Sequence, residues 1–218
     1  MPEVYHTPGS GPCRIVLLTG AALKVPFNLR LVNLSNGENL KPEYLKLNPQ
    51  HTVPTFVDDD GCVLWESRTI AKYLVNKYGR GSSLYPDDIK TRALIDQRID
   101  FEMGTLYPRF AQYYYTQIFA GAPADEGHLS KLRESLEILN TILDVQTYAV
   151  GDNLTLADVA LVATVSSIDY ANISLNNYPN ILKWYKLVQE TTPSYKEINV
   201  KGLEDFLELV KRIKGQHK

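Results

Sequence analysis

Apolar residues change their spacing near residue 79. Before it they fall in short runs that read as strands, separated by stretches of helical spacing. Val4-Tyr5-His6 reads as a short first strand. Pro12 suits the first position of a helix and opens one from about Cys13 to Leu23. Phe27 to Leu34 reads as a strand in which Phe27, Leu29 and Leu31 alternate with Asn28 and Arg30, and polar Glu38 to Leu47 predicts a short or irregular helix. Pro54 precedes the run Thr55-Phe56-Val57 and marks its first position or a turn, since proline cannot donate to a sheet. Asp58-Asp59-Asp60-Gly61 turns the chain into Cys62-Val63-Leu64-Trp65, a hairpin. Ser67 is the expected N-cap of a helix carrying Ile70, Ala71, Leu74, Val75 and Tyr78. The order is β-α-β-α-β-β-α, an α/β sandwich.

Gly79 to Pro86 is small, polar and proline-terminated, a boundary between two units. The expected domains are residues 1–80 and 88–218. Beyond the boundary all the spacing is helical. Ile95, Ile99, Met103, Leu106, Phe110 and Tyr114 predict a long amphipathic helix that Pro108 should kink or break. Leu129, Leu132, Leu136, Leu139 and Leu143 predict another. Thr155-Leu156-Ala157-Asp158 has the spacing of a capping box with Asp in the Glu place. The helix it starts is apolar on nearly every side, which places it at the centre of an all-helical domain. Tyr178-Pro179 begins a further helix, and Leu203, Phe206, Leu207 and Val210 line a last one.

Composition narrows the function. Lys plus Arg number 23 and Asp plus Glu 25, so no basic excess points to nucleic acid or an anionic membrane surface. The leading MPEVYHTPGSG does not read as a signal peptide, and no apolar run approaches the ~18 residues of a membrane span. Two cysteines, Cys13 and Cys62, imply no disulfide framework and fit a reducing, cytoplasmic setting. His6, His51, His128 and His217 show no ligand spacing, so no metal is expected.

Chemistry gathers at two helix starts. Ser10-Gly11-Pro12-Cys13 has the spacing of a Cys-x-x-Cys motif with Ser in the nucleophilic place. A helix N-terminus stabilises an anion there. A hydroxyl is a poor nucleophile at neutral pH but a good donor to a thiolate supplied by a ligand. Local sequence alone favours a plain capping role for Ser10. Cys13 takes the place of the buried, less reactive cysteine of the motif, and its alternative is as nucleophile of a thiol oxidoreductase.

Val53-Pro54-Thr55 before a strand, then Trp65-Glu66-Ser67-Arg68 opening a helix, resembles the glutathione-binding half of cytosolic glutathione S-transferases. The segments NPQHTVPT and LWESRTIAKYLVNKYG are most similar to the delta and epsilon classes of arthropods. The resemblance covers essentially the whole chain. It implies a thioredoxin-like N-terminal domain, an all-α C-terminal domain and a homodimer. The implied reaction is attack of the glutathione thiolate on electrophilic hydrophobic compounds, a detoxification, with Ser10 holding the thiolate. It also implies a cis Val53-Pro54 bond whose Val53 backbone pairs with the cysteinyl backbone of glutathione. Glu66, Ser67 and Arg68 are expected on the γ-glutamyl end and His51 near the glycyl end, with Thr52 and Pro54 also among the glutathione-binding residues. The segment GENLKP departs from the family, where a His commonly stands in place of Asn39, and weaker glutathione binding is expected. Glu102 can orient the arginine in relatives and is given little weight here. The expected acceptor-substrate pocket comprises Pro12, Leu34, Tyr107, Phe110, Tyr115, Phe119 and Phe206; Tyr113, Tyr114 and Tyr115 cannot all face inward, since successive helical residues diverge by about 100°. The rival readings are a non-catalytic ligand carrier on the same fold, a Cys13-dependent oxidoreductase, and an interaction module.

Overall fold

A computed structural model describes residues 1–216 of the chain; His217, weighed above as a metal ligand, and Lys218, the last residue of the expected second domain, lie outside the described residues. The N-terminal unit contains β1 (Glu3–His6), α1 (Gly11–Leu23), β2 (Asn28–Leu31), α2 (Pro42–Leu47), β3 (Thr55–Val57), β4 (Val63–Trp65) and α3 (Ser67–Tyr78). The strands form one sheet in the order β2-β1-β3-β4, with β1 and β2 parallel and both other pairings antiparallel. A parallel pair needs a crossover, and α1 supplies it. Val4, Phe56, Val16, Ile70 and Leu74 form the small core between the sheet and helices α1 and α3.

β2 is shorter than the expected run, and its alternation does not bury Leu29 and Leu31, which are 48% and 64% exposed. β2 is the edge of the sheet, so the cover over Val4 and Phe56 does not extend to it. The buried residue at this edge is Val32, just past the strand.

The C-terminal unit is helical: α4 (Ile89–Phe101), α5 (Tyr107–Phe119), α6 (Glu126–Ile142), α7 (Leu156–Tyr170), α8 (Pro179–Thr191) and α9 (Lys201–Gln216). α7 runs through its middle, buried from Leu156 to Ile168. The Asp158 carboxylate accepts from both the Thr155 N–H and the Thr155 hydroxyl at 2.8 Å, the expected capping box. The long apolar pattern is interrupted next to Pro108, as expected. A π-helical turn, Glu102–Leu106, precedes α5 and gives the proline a place in the first turn of a new helix, where its missing N–H costs nothing. α1 belongs to both units: Val16 faces the sheet core, whereas Ile15 and Leu18 join the helical core. Among the described residues no helix is long and apolar enough to cross a membrane.

Candidate active site

A cleft of about 440 Å³ opens between the units, lined by Pro12, Thr52, Val53, Pro54, Glu66, Ser67, Arg68, Met103, Tyr107 and Pro108. Two helix starts frame it. At the first, Ser10 is the N-cap of α1, its Oγ accepting from the Cys13 N–H at 3.4 Å. That bond is long, and a hydroxyl that accepts in a cap still has its own proton to donate. Cys13 is 1% exposed, and burial pushes its thiol up to about 11 against the hydrogen bonds from Ser10 and Thr7. A neutral, enclosed thiol is no nucleophile. Gly9 keeps a positive φ of 84°, and a Cβ there would come within 2.7 Å of the Phe206 Cβ, so α9 lies directly on the loop that carries Ser10.

At the second start the expectation for Ser67 needs correction. The N-cap of α3 is Glu66, at φ 70° and without a side-chain capping bond; Ser67 is the first helical residue. A non-glycine residue at positive φ is uncommon and concentrates at functional sites. This geometry leaves the Glu66 carboxylate exposed and the first-turn N–H groups of α3 without intrahelical acceptors. The Ser67 hydroxyl accepts from Arg68 Nη1 at 2.9 Å.

Arg68 lines the cleft but is not a free cation. Its Nε donates to Glu102 Oε2 at 2.9 Å and Nη2 to both Glu102 oxygens at 2.7 Å, and Thr164 Oγ1 donates to Glu102 Oε1 at 2.5 Å. Burial raises the Glu102 carboxyl, and Arg68 and Thr164 act against that. Glu102, given little weight from sequence, is thus the anchor of the arginine. The guanidinium also lies 5.4 Å from the centre of the Tyr107 ring, a cation–π contact.

The remaining site residues divide. The Val53-Pro54 bond is cis, and Val53 is half-buried at the cleft wall. His51 is exposed at φ 49°, and its carbonyl accepts from Asn39 Nδ2 at 2.8 Å. Asn39 therefore holds the loop bearing His51 and Thr52. Of the predicted acceptor residues, Pro12 and Tyr107 line the cleft. Tyr115 is the hub of an aromatic cluster, with ring centres 6.4 Å from Tyr107, 5.8 Å from Phe119 and 5.9 Å from Phe206. Tyr113, Tyr114 and Tyr115 are all half-buried, packed on the edge of the helical core. Phe110 is fully buried, against the expectation that it faces the pocket; it stacks on Tyr114 at 5.5 Å and backs the wall from within. Leu34 sits in an exposed 3-10 turn (Leu34–Asn36), outside the cleft lining. Met103 and Pro108 were not anticipated; the π-helical turn that brings them to the cleft has no signature beyond the proline. No group of His, Cys, Asp and Glu among the described residues could hold a metal ion.

Residues 10–77 match the glutathione S-transferase N-terminal domain model, and residues 94–190 match the glutathione S-transferase C-terminal domain. Over 98% of this chain and 100% of the other, the structure superposes on a delta-class glutathione transferase of Nilaparvata lugens with a TM-score of 0.94 and 46% identity. The chain belongs to the glutathione S-transferase family. An epsilon-class enzyme from the housefly, Musca domestica, is 37% identical over 98% of each chain, with a TM-score of 0.89. A glutathione transferase homolog from Drosophila mojavensis, with bound glutathione, is 36% identical over 97% of this chain and 96% of that one, also at 0.89. Glutathione conjugation is accordingly the activity of this chain, and its fold is that of these transferases.

Proposed function

We propose that the cleft binds reduced glutathione with its sulfur at Ser10. The observation that carries this reading is the convergence of two helix N-termini, those of α1 and α3, on one cleft whose floor is the segment Thr52-Val53-Pro54. The relative with bound glutathione supports it. The γ-glutamyl carboxylate takes Ser67 and the first N–H groups of α3, and the exposed Glu66 carboxylate pairs with the ammonium. The Val53 backbone pairs with the cysteinyl backbone, and His51 and Thr52 meet the glycyl end. Arg68, held by Glu102, fixes Ser67 from behind.

The thiol loses its proton to solvent, and the Ser10 hydroxyl donates to the resulting thiolate. The sulfur then bonds to the electrophilic carbon, and the leaving group departs with the bonding pair. Tyr107, Tyr115, Phe119 and Phe206 form the wall that receives an apolar acceptor, with Pro12 at its mouth. The glutathione-binding unit is residues 1–80 and the acceptor-binding unit 88–218. The family resemblance and an ordinary charge balance support a cytoplasmic homodimer acting in detoxification, without metal or nucleic acid.

The test is initial-rate conjugation of an aryl halide by wild type and Ser10→Ala, with glutathione affinity measured for both. A hydrogen bond to a charged group contributes about 1.5–3 kcal/mol. The alanine variant should therefore bind glutathione and lose about 10- to 150-fold in kcat. A variant as fast as wild type would overturn the role given to Ser10. Glutathione binding without turnover on any electrophile would favour the carrier.

A further inference from the structure

The structure assigns a second function to Arg14: resting on the reading of Ser10 above, we infer that its buried, uncompensated charge helps to ionise the bound glutathione thiol. Arg14 lies one turn into α1, its N–H bonded to the Ser10 carbonyl at 3.0 Å, and is 2% exposed. Its guanidinium folds back along the first turn: a Cβ on Gly11, the residue after Ser10, would lie 3.5 Å from Nη2. The side chain is clamped by the C-terminal unit. Nη1 donates to Ser166 Oγ at 3.1 Å and to Asn199 Oδ1, and Nη2 to the Ala163 carbonyl at 3.1 Å and to Ser167 Oγ at 2.6 Å. All these acceptors are neutral. Among the described residues no carboxylate forms an ion pair with Arg14, and its Nε has no hydrogen-bond partner.

A buried cation with no counter-ion is costly to the fold. The ionisable groups facing it are Cys13 on α1, Tyr107 and Tyr115 on α5, Tyr170 on α7, Tyr185 on α8 and Tyr195 before the last π-helical turn. All are neutral near pH 7, because burial holds the thiol and the phenols high. The positive field is thus not cancelled locally. It reaches Cys13, whose N–H is bonded to Ser10, and Tyr107 on the cleft wall, where the field of Arg68 adds to it. At about 10 Å and an effective dielectric near 20, a unit charge moves a pKa by about one unit.

The test titrates the thiolate absorbance of bound glutathione against pH and measures kcat/KM over the same range. Asn199→Asp places a carboxylate against the guanidinium without removing it; Arg14→Met removes the charge; Arg14→Lys keeps it. The first two should raise the pKa of the bound thiol by about one unit. Their kcat/KM should fall about tenfold below that pKa and return toward wild type above it. Arg14→Lys should titrate close to wild type. If Asn199→Asp folds, binds glutathione and leaves the thiol pKa unmoved, Arg14 is only a strut and the inference fails; this holds even if Arg14→Met does not fold. If the thiol bound to wild type titrates as in free glutathione, the reading of the Ser10 site fails first, and the inference with it.

Discussion

Each helix that frames the cleft carries a buried arginine in its first turns, and the two are treated oppositely. Arg68 on α3 meets Glu102 through three hydrogen bonds, with Thr164 completing the carboxylate's shell. Arg14 on α1 meets two serines, an asparagine and a carbonyl. Both tie the N-terminal unit to the helical one, so both serve as struts. The difference is in what reaches the cleft. Glu102 offsets part of the field of Arg68, although at Tyr107 the arginine still outweighs it, whereas no carboxylate among the described residues is paired with Arg14. Helix α3 can offer the ligand oriented N–H groups with a partly compensated charge behind them, and α1 an uncompensated one.

The sharpest way to break this comparison is to strand a charge. Glu102→Gln leaves Arg68 buried without its partner and should cost about 3–5 kcal/mol, read from the urea midpoint. Replacing Arg68 and Glu102 together with Met and Leu should recover most of that loss. Arg14→Met strands only neutral acceptors and should cost less, about 1–3 kcal/mol. If it costs as much as Glu102→Gln, the two arginines are not distinct in the way described.

Acid titration extends the contrast to carboxylates. Asp58 is buried at the hairpin, and although burial pushes it up, Lys77, Tyr73 and Tyr78 outweigh that and bring it down to about 2. Its folded value is depressed, so its contribution is present above about 4 and is lost as pH falls toward about 2. Asp58→Asn should flatten that part of the stability–pH curve. Asp158 is the opposite case, a buried carboxylate with neutral donors only, raised by burial. Removing it should not produce that acid-limb change. The smallest effect is expected at Asn39. Asn39→Ala removes one partly exposed bond to the His51 carbonyl, about 0.5–1 kcal/mol, and should raise KM for glutathione about two- to fivefold with kcat unchanged.

What was legible in the sequence was whatever depends on near neighbours. The hairpin at Asp58–Gly61, the capping box at Thr155 and the apolar α7 are set by residues within a few positions. The partners of Arg68 and Arg14 are not: Glu102 is 34 positions from Arg68, and Ser166 is 152 from Arg14. No local pattern distinguishes such an arginine from a solvated one. Ser67 sits one residue past the cap because Glu66 forms it at a positive φ that side-chain preference argues against. Phe110 lies in the core and not the pocket: periodicity shows which residues share a face, not whether that face meets a cavity or another helix. Leu29 and Leu31 failed for the converse reason: alternation shows a face, but an edge strand can lack cover.

The seating of Phe206 against Gly9 has a consequence for cooperativity. Gly9 lies in the loop before α1, in the first unit, and Phe206 on α9, in the second. Helix α9 thus closes over the Ser10 loop, and Asn199, just before α9, supplies one of the acceptors of Arg14. Fraying of α9 from the helical unit would uncover that loop and loosen the clamp on α1 together, so the order of the α1 start is tied to the docking of a helix far away in sequence.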